Sequence, residues 1–233
     1  MDRHLDFTID FETCGLGANA AVMQVAVLPW LRDNFASPFC NEDELKPYVG
    51  YVDLRRCVMD GFEFEPKTLR WWREQSEEAK SAVCDGKPEQ IDDITWNVLH
   101  YIDGVMSEYK LESICLWSQG PDVDMAILRH LCSEFGIDLE KRIQHTSFRD
   151  CRTMILEAAL LMAGRIQPDG AVSTAPSSPS VQDILSDSRR AYELFDPLPY
   201  YSFIKGRAQH DALYDCARST WYTWQALKEL RKP

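Results

Sequence analysis

Two neighbouring stretches near the N-terminus restrict the fold more than anything else in the chain. Residues 5 to 11 and 21 to 30 (AVMQVAVLPW) are runs of β-formers joined by the turn CGLGAN, with Pro29 expected to end the second. They predict a β-hairpin. The first of them carries TIDFET, residues 8 to 13, which puts Asp10 and Glu12 two apart. On a strand, positions i and i+2 share a face, so the two carboxylates project together, with backbones roughly 7 Å apart. Anions that close need a counter-charge. No Lys or Arg lies within the strand, and an all-oxygen ligand set selects Mg²⁺ or Mn²⁺. The alternative is an exposed edge strand bearing two solvated acids, and for the pair taken alone that alternative is the stronger reading.

The rest of the chain alternates between the two periodicities. A third strand is expected at 47 to 54 (PYVGYVDL), followed by helical patterns in PKTLRWWREQ, SEEAKSAVC and Pro88 to Tyr109. Strand signal returns at 113 to 118 (SICLWS). A helix then runs from Asp122 to Phe135, with Met125, Ile127, Leu128 and Leu131 at helical spacing and Gly136 as its stop. A fifth strand fits 143 to 149. It leads into DCRTMILEAALLMAG, with Asp150 as N-cap and Gly164 as C-cap. Residues 168 to 180 (PDGAVSTAPSSPS) cannot bury enough surface to order themselves, so about 168–200 is expected to be a flexible Pro/Ser-rich insertion before a last helix near 211 to 230. The expected architecture is α/β, a mixed five-stranded sheet flanked by helices, in a single domain spanning 1–233.

Composition narrows the function classes. A formal charge of −12 opposes broad binding to a phosphate backbone, which is built from Lys and Arg replacing counterions. Any nucleic-acid contact should be local. The eight cysteines are scattered singly, without zinc spacing or a disulfide framework, and read as reduced thiols. MDRHLDFTID lacks a signal-peptide pattern and no apolar run approaches a membrane span, so a cytoplasmic protein with no membrane partner is expected.

Further acids keep company with the first two. LWSQGPDVDMAIL places Asp124 after a strand and at the opening of an apolar helix, and HDALYD places His210 five residues before Asp215 on the last helix. Four acids and a histidine, delivered by strand segments and helix starts, are what a two-metal phosphodiester site requires. In this order TIDFET, VDMAIL and the H-x4-D spacing resemble the three motifs of the DEDDh 3′–5′ exonucleases, which have a ribonuclease H-like fold. Within that superfamily the chain is similar to the branch of the phage exodeoxyribonuclease DexA and the RNase T-like exoribonucleases. AAV at 20 to 22, WWREQSEEAK at 71 to 80, WSQG before the second motif, RDCRT at 149 to 153 and AQHDALYDCA at 208 to 217 carry that similarity. Val123 departs from it, since the second motif usually has an aromatic residue before its Asp. Asp122 is read as a cap or first-turn acid.

The resemblance implies that Asp10, Glu12, Asp124 and Asp215 hold two Mg²⁺ or Mn²⁺ ions, with His210 as the general base. It implies removal of nucleoside 5′-monophosphates from a single-stranded 3′ end, DNA favoured and RNA the alternative. An inactive nucleic-acid-binding module is the competing class. Phe11, Thr13, Leu16, Trp72, Gln119 and Arg152 are candidate substrate contacts, Arg149 a further one. Trp71 and Trp72 cannot both face a core from one helix, so one is available to stack on a base. Phe11 alternates to the face opposite Asp10 and Glu12, which favours core packing. On the last helix, Leu213, Ala217, Thr220, Trp224 and Leu227 form the core stripe, and Asp215 lies nearly opposite it. Read alone, Asp215 is a surface acid; the motif makes it a ligand. Some relatives are homodimers, and nothing in this sequence demands it.

Overall fold

The computed structural model describes residues 4–39, 46–120, 122–165, 181–186, 188–195, 198–199 and 201–232. Six strands, β1 (Leu5–Thr13), β2 (Val22–Leu31), β3 (Tyr48–Val52), β4 (Pro88–Glu89), β5 (Leu116–Ser118) and β6 (Phe148–Asp150), form one sheet in the order β4-β3-β2-β1-β5-β6. The hairpin is its centre: β1 pairs antiparallel with β2 from Leu5↔Leu31 to Glu12↔Gln24, and parallel with β5. The sheet is mixed and α/β as expected, with a sixth strand that two residues of a loop contribute by pairing beside β3. A two-residue strand has no periodicity to read.

Pro29 does not end β2, which continues to Leu31. The Phe7 N–H points away from β2 to the carbonyl of Cys115, so Phe7↔Pro29 is a non-hydrogen-bonded pair and Pro29 faces the side that β3 has already left at Val27↔Tyr48. A missing donor costs nothing there.

Helices α1 (Leu54–Met59), α2 (Pro66–Glu74), α3 (Glu77–Ala82), α4 (Ile91–Glu108), α5 (Asp124–Glu134), α6 (Cys151–Arg165), α7 (Val181–Ser186), α8 (Ser188–Tyr192) and α9 (Ala212–Leu230) cover the sheet. Side-chain alternation on the central strands divides the core in two. Leu5, Phe7, Ile9 and Phe11 of β1 join Ile94, Val98 and Leu99 of α4 and Ile127, Leu128 and Leu131 of α5 on one face. Ala26, Leu28 and Trp30 of β2 meet Ile155 and Ala159 of α6 and Leu213, Ala217 and Trp224 of α9 on the other. Thr8 belongs to this second face, its hydroxyl 2.7 Å from that of Thr220. Asp10 and Glu12 therefore point toward α9.

Asp150 caps α6 as expected, accepting from the N–H groups of Arg152 and Thr153 at 3.0 and 3.2 Å, but the helix passes through Gly164 to Arg165. The residues at 168–180 expected to be a mobile loop lie outside the described residues. Within the remainder of that insertion, 181–186 and 188–192 fold into α7 and α8, which bury Ile184 and Ala191 in the second core cluster. Among the described residues, no helix is long and apolar enough to cross a membrane.

Candidate active site

The site is assembled at the C-terminal end of β1. Asp10 and Glu12 leave the strand on the α9 side, directly opposite Ala26 and Gln24 of β2. Because β5 pairs with β1 only at Phe7 and Thr8, the Phe11 N–H is free of strand pairing and donates instead to Asp124 Oδ1 at 3.2 Å. Asp124 opens α5, so the divergence of two strands makes the place where a helix start meets the acid-bearing strand. Asp122 lies exposed before that helix and does not cap it; Val123 holds the N-cap position without a side-chain bond.

Asp215 arrives from α9. The helix is buried around most of its circumference, packed against β1, β2 and α6, and Asp215 is only 7% exposed. Its position opposite the core stripe is thus a second buried face and no surface at all. His210, just before the helix, has φ +68, and its N–H donates to Asp215 Oδ2 at 3.0 Å. Ligand atoms of Glu12, His210 and Asp215 lie within 4.8 Å of one another.

Burial and mutual repulsion dominate the electrostatics. Desolvation, then the charges of Asp124, Glu12 and Asp215, push the Asp10 carboxyl well above the usual carboxylate range. Glu12 is raised strongly for the same reasons, Asp124 is pushed up to about 7 by burial against the Phe11 N–H bond that lowers it, and Asp215 is raised by burial. Burial holds His210 below the ordinary imidazole value. Such a cluster at neutral pH calls for cations. Asp215 Oδ1 is buried with no hydrogen-bond donor: Arg218 Nη2 stands 3.0 Å away as an ion pair without hydrogen-bond alignment. A buried carboxylate oxygen without a hydrogen-bond donor, in a cluster of four carboxylates, fits a hard divalent ion.

The expected substrate contacts separate. Leu16 is 63% exposed, its N–H held by Glu65 Oε1, whereas Phe11 and Thr13 are buried, Thr13 donating its hydroxyl to the Gly15 carbonyl at 2.6 Å. Of the two tryptophans, Trp72 is the buried one: its indole N–H donates to the Thr13 carbonyl at 2.8 Å, tying α2 to the end of β1. The ring accessible for stacking is Trp71, 40% exposed and edge-on to His210 with centroids 4.7 Å apart. Gln119 is engaged at both ends, donating to the Tyr192 hydroxyl of α8 and accepting from Ser219, each at 2.6 Å. Arg152 reaches the Gln119 carbonyl at 3.3 Å, and Arg149 turns back onto the carbonyls of Thr146 and Phe148.

Three residues escaped sequence reasoning. Arg218 follows Asp215 by one helical turn, a spacing that could have been read. Gln24 is a fully buried polar residue in an otherwise apolar strand; its amide donates to Asp211 Oδ2 and to the Ala82 carbonyl, both at 3.3 Å, and accepts from the Ala212 N–H at 2.8 Å. Asp211 is the N-cap of α9, bonded to the N–H groups of Leu213 and Tyr214 and ion-paired with Arg207.

Residues 5–175 match the family model of the Rv2179c-like 3′–5′ exoribonuclease domain. No curated protein matches in sequence. Among solved structures, E. coli Exonuclease I in complex with a 5cy-dA13 oligonucleotide superposes with a TM-score of 0.52 at 13% identity, covering 99% of this chain and 41% of that one. The zinc-ion-bound form of the E. coli ExoI–ssDNA complex gives 0.52 at 16% identity with the same coverage. At these identities the likeness is one of fold, the ribonuclease H-like α/β fold, and this chain spans about two fifths of the Exonuclease I length. With well over half its length matched, from β1 through α6, the chain belongs to the Rv2179c-like 3′–5′ exoribonuclease domain family.

Proposed function

We propose that this protein is a metal-dependent 3′–5′ exonuclease that releases nucleoside 5′-monophosphates from single-stranded 3′ ends, with Asp10, Glu12, Asp124 and Asp215 as metal ligands and His210 as general base. The observation that carries it is the convergence of Glu12, His210 and Asp215 within 4.8 Å, beside an Asp124 bonded to the backbone residue next to Asp10. When bound, two divalent cations, Mg²⁺ or Mn²⁺, would polarise the phosphate and neutralise charge building in its transition state.

The chain's own residues supply the rest. His210 offers an imidazole, the side chain that exchanges protons near neutrality, to take the proton of the attacking water. Its backbone is fixed by Asp215, and Trp71 packs against one edge of its ring. That leaves the Trp71 indole accessible to stack on a terminal base, and exposed Leu16 to flank the sugar. The formal charge of −12 suits an enzyme that grips a few nucleotides at an end.

RNA is the first reading of the substrate, because the matched family is one of exoribonuclease domains. Single-stranded DNA is the second, supported by the fold it shares with Exonuclease I, whose structures hold ssDNA. One or two contacts to a 2′-OH decide between them. The test is digestion of 5′-labelled single-stranded RNA and DNA of matched sequence, in Mg²⁺ and in Mn²⁺, with wild type and Asp10→Ala. A ladder shortening from the 3′ end, lost in Asp10→Ala, supports the reading and reports the sugar. Two intact polymers in both metals would leave a binding module.

A further inference from the structure

Four acids crowd one site, and the cations that face them are few. The charge of Arg152 works to lower the Asp124 pKa, but its guanidinium is hydrogen-bonded to the Gln119 carbonyl. Arg218 is different. Its charge is felt by Asp10, Glu12 and Asp215 alike. Its side chain is three-quarters buried, 25% exposed, with Nη2 3.0 Å from Asp215 Oδ1. Yet its Nε is buried without a hydrogen-bond partner among the described residues, and so is Asp215 Oδ1. The two are held by charge, without the paired hydrogen bonds that make an Arg–carboxylate contact strong. This is a counter-ion in contact and not a locked salt bridge.

We propose that Arg218 is the resident counter-cation of the acid cluster, and that divalent cations enter the site in competition with it. The inference rests on the metal-binding reading above. In protein without metal, the guanidinium offsets part of the repulsion among the acids. A hard cation that takes Asp215 Oδ1 as ligand comes to about 2.1 Å, and a guanidinium nitrogen facing the same oxygen is then a like charge at short range. Loading the site requires Arg218 to give up that contact. Arg218 therefore lowers the affinity for metal while making the metal-free site tolerable.

The experiment is a thermal-melting titration with Mn²⁺ alone, after chelation, on wild type, Arg218→Met and Asp10→Asn. Arg218→Met is expected to melt below wild type without metal and to reach half-maximal stabilisation at a Mn²⁺ concentration roughly tenfold lower, the effect of one charge-assisted contact. Asp10→Asn is expected to respond less than wild type. If wild type and Arg218→Met are half-saturated at the same Mn²⁺ concentration, Arg218 is no competitor and the proposal falls while the metal reading stands. No response in any of the three removes the metal reading and this proposal with it. If Arg218→Met is unfolded without metal, folding on Mn²⁺ addition supports the proposal; failure to fold with Mn²⁺ shows that Arg218 serves the fold itself and overturns it.

Discussion

His210 sits at φ +68, and Asn is the residue that tests its side chain alone, since Asn tolerates the left-handed region better than most. His210→Asn is expected to lower kcat by roughly 10²- to 10⁴-fold, the range for losing a general base, and to leave the melting temperature unchanged; single-turnover kinetics and a thermal melt measure the two. The acids predict an inverted pH dependence of stability. Asp124 titrates at about 7 in the folded chain against 3.8 as its ordinary value, and Asp10, Glu12 and Asp215 are raised too. Across that window the native state binds protons that the unfolded chain does not, so stability is greatest at low pH and is lost as pH rises toward 7. His210, held below 6.5, works in the opposite direction, but as one group against four. In chelator, the protein should melt higher at pH 5.5 than at pH 8, and saturating Mn²⁺ should narrow the gap. A melting temperature that rises from pH 5.5 to pH 8 in chelator would refute the electrostatic account.

At the scale of elements, the start of α9 is tied to β2 by the buried Gln24 side chain. Gln24 satisfies Asp211, Ala212 and Ala82 together. Gln24→Met keeps the volume but strands the Ala212 N–H and the Ala82 carbonyl, while Asp211 keeps Leu213, Tyr214 and Arg207; this should cost about 2–4 kcal/mol, at roughly 1–3 for each stranded group with partial relaxation. Urea unfolding measures that, and kcat should fall as well because His210 and Asp215 flank the junction. Trp72→Phe removes the donor to the Thr13 carbonyl and should cost about 1–3 kcal/mol, whereas Trp71→Ala should be nearly neutral for stability and raise KM. Much of this level was legible. The hairpin and the cap at Asp150 follow from local pattern. What was not legible is whatever needs a distant partner: Gln24 and Asp211 are 187 residues apart, and whether Trp71 or Trp72 faces inward depends on where the Thr13 carbonyl comes to rest. Helical periodicity put Asp215 on a solvent face for the same reason. A helix wedged between a sheet and α6 has two buried sides, and a single hydrophobic stripe reports only one.

Across the whole molecule, the net charge of −12 and the confinement of the acids to one end of β1 predict weak coupling between salt and substrate binding. An enzyme contacting two or three phosphates of a single strand should show a slope of log affinity against log salt no steeper than about −2, at roughly −0.7 per phosphate. KM measured from 50 to 200 mM KCl tests it, and a steep slope would mean a longer track of cations along the bound strand than two or three phosphate contacts need. The strand at the centre of the sheet has a consequence of another kind. Eight of the nine residues of β1 are buried, and Asp10 retains only partial exposure. One of its faces is core and the other carries the proposed metal ligands Asp10 and Glu12, so the strand has no idle position on which random change could accumulate unseen. In a saturation library selected for nuclease function, Leu5 to Thr13 should stand out as an unbroken block of intolerance, the stretch where the demands of folding and of reaction leave no room to drift.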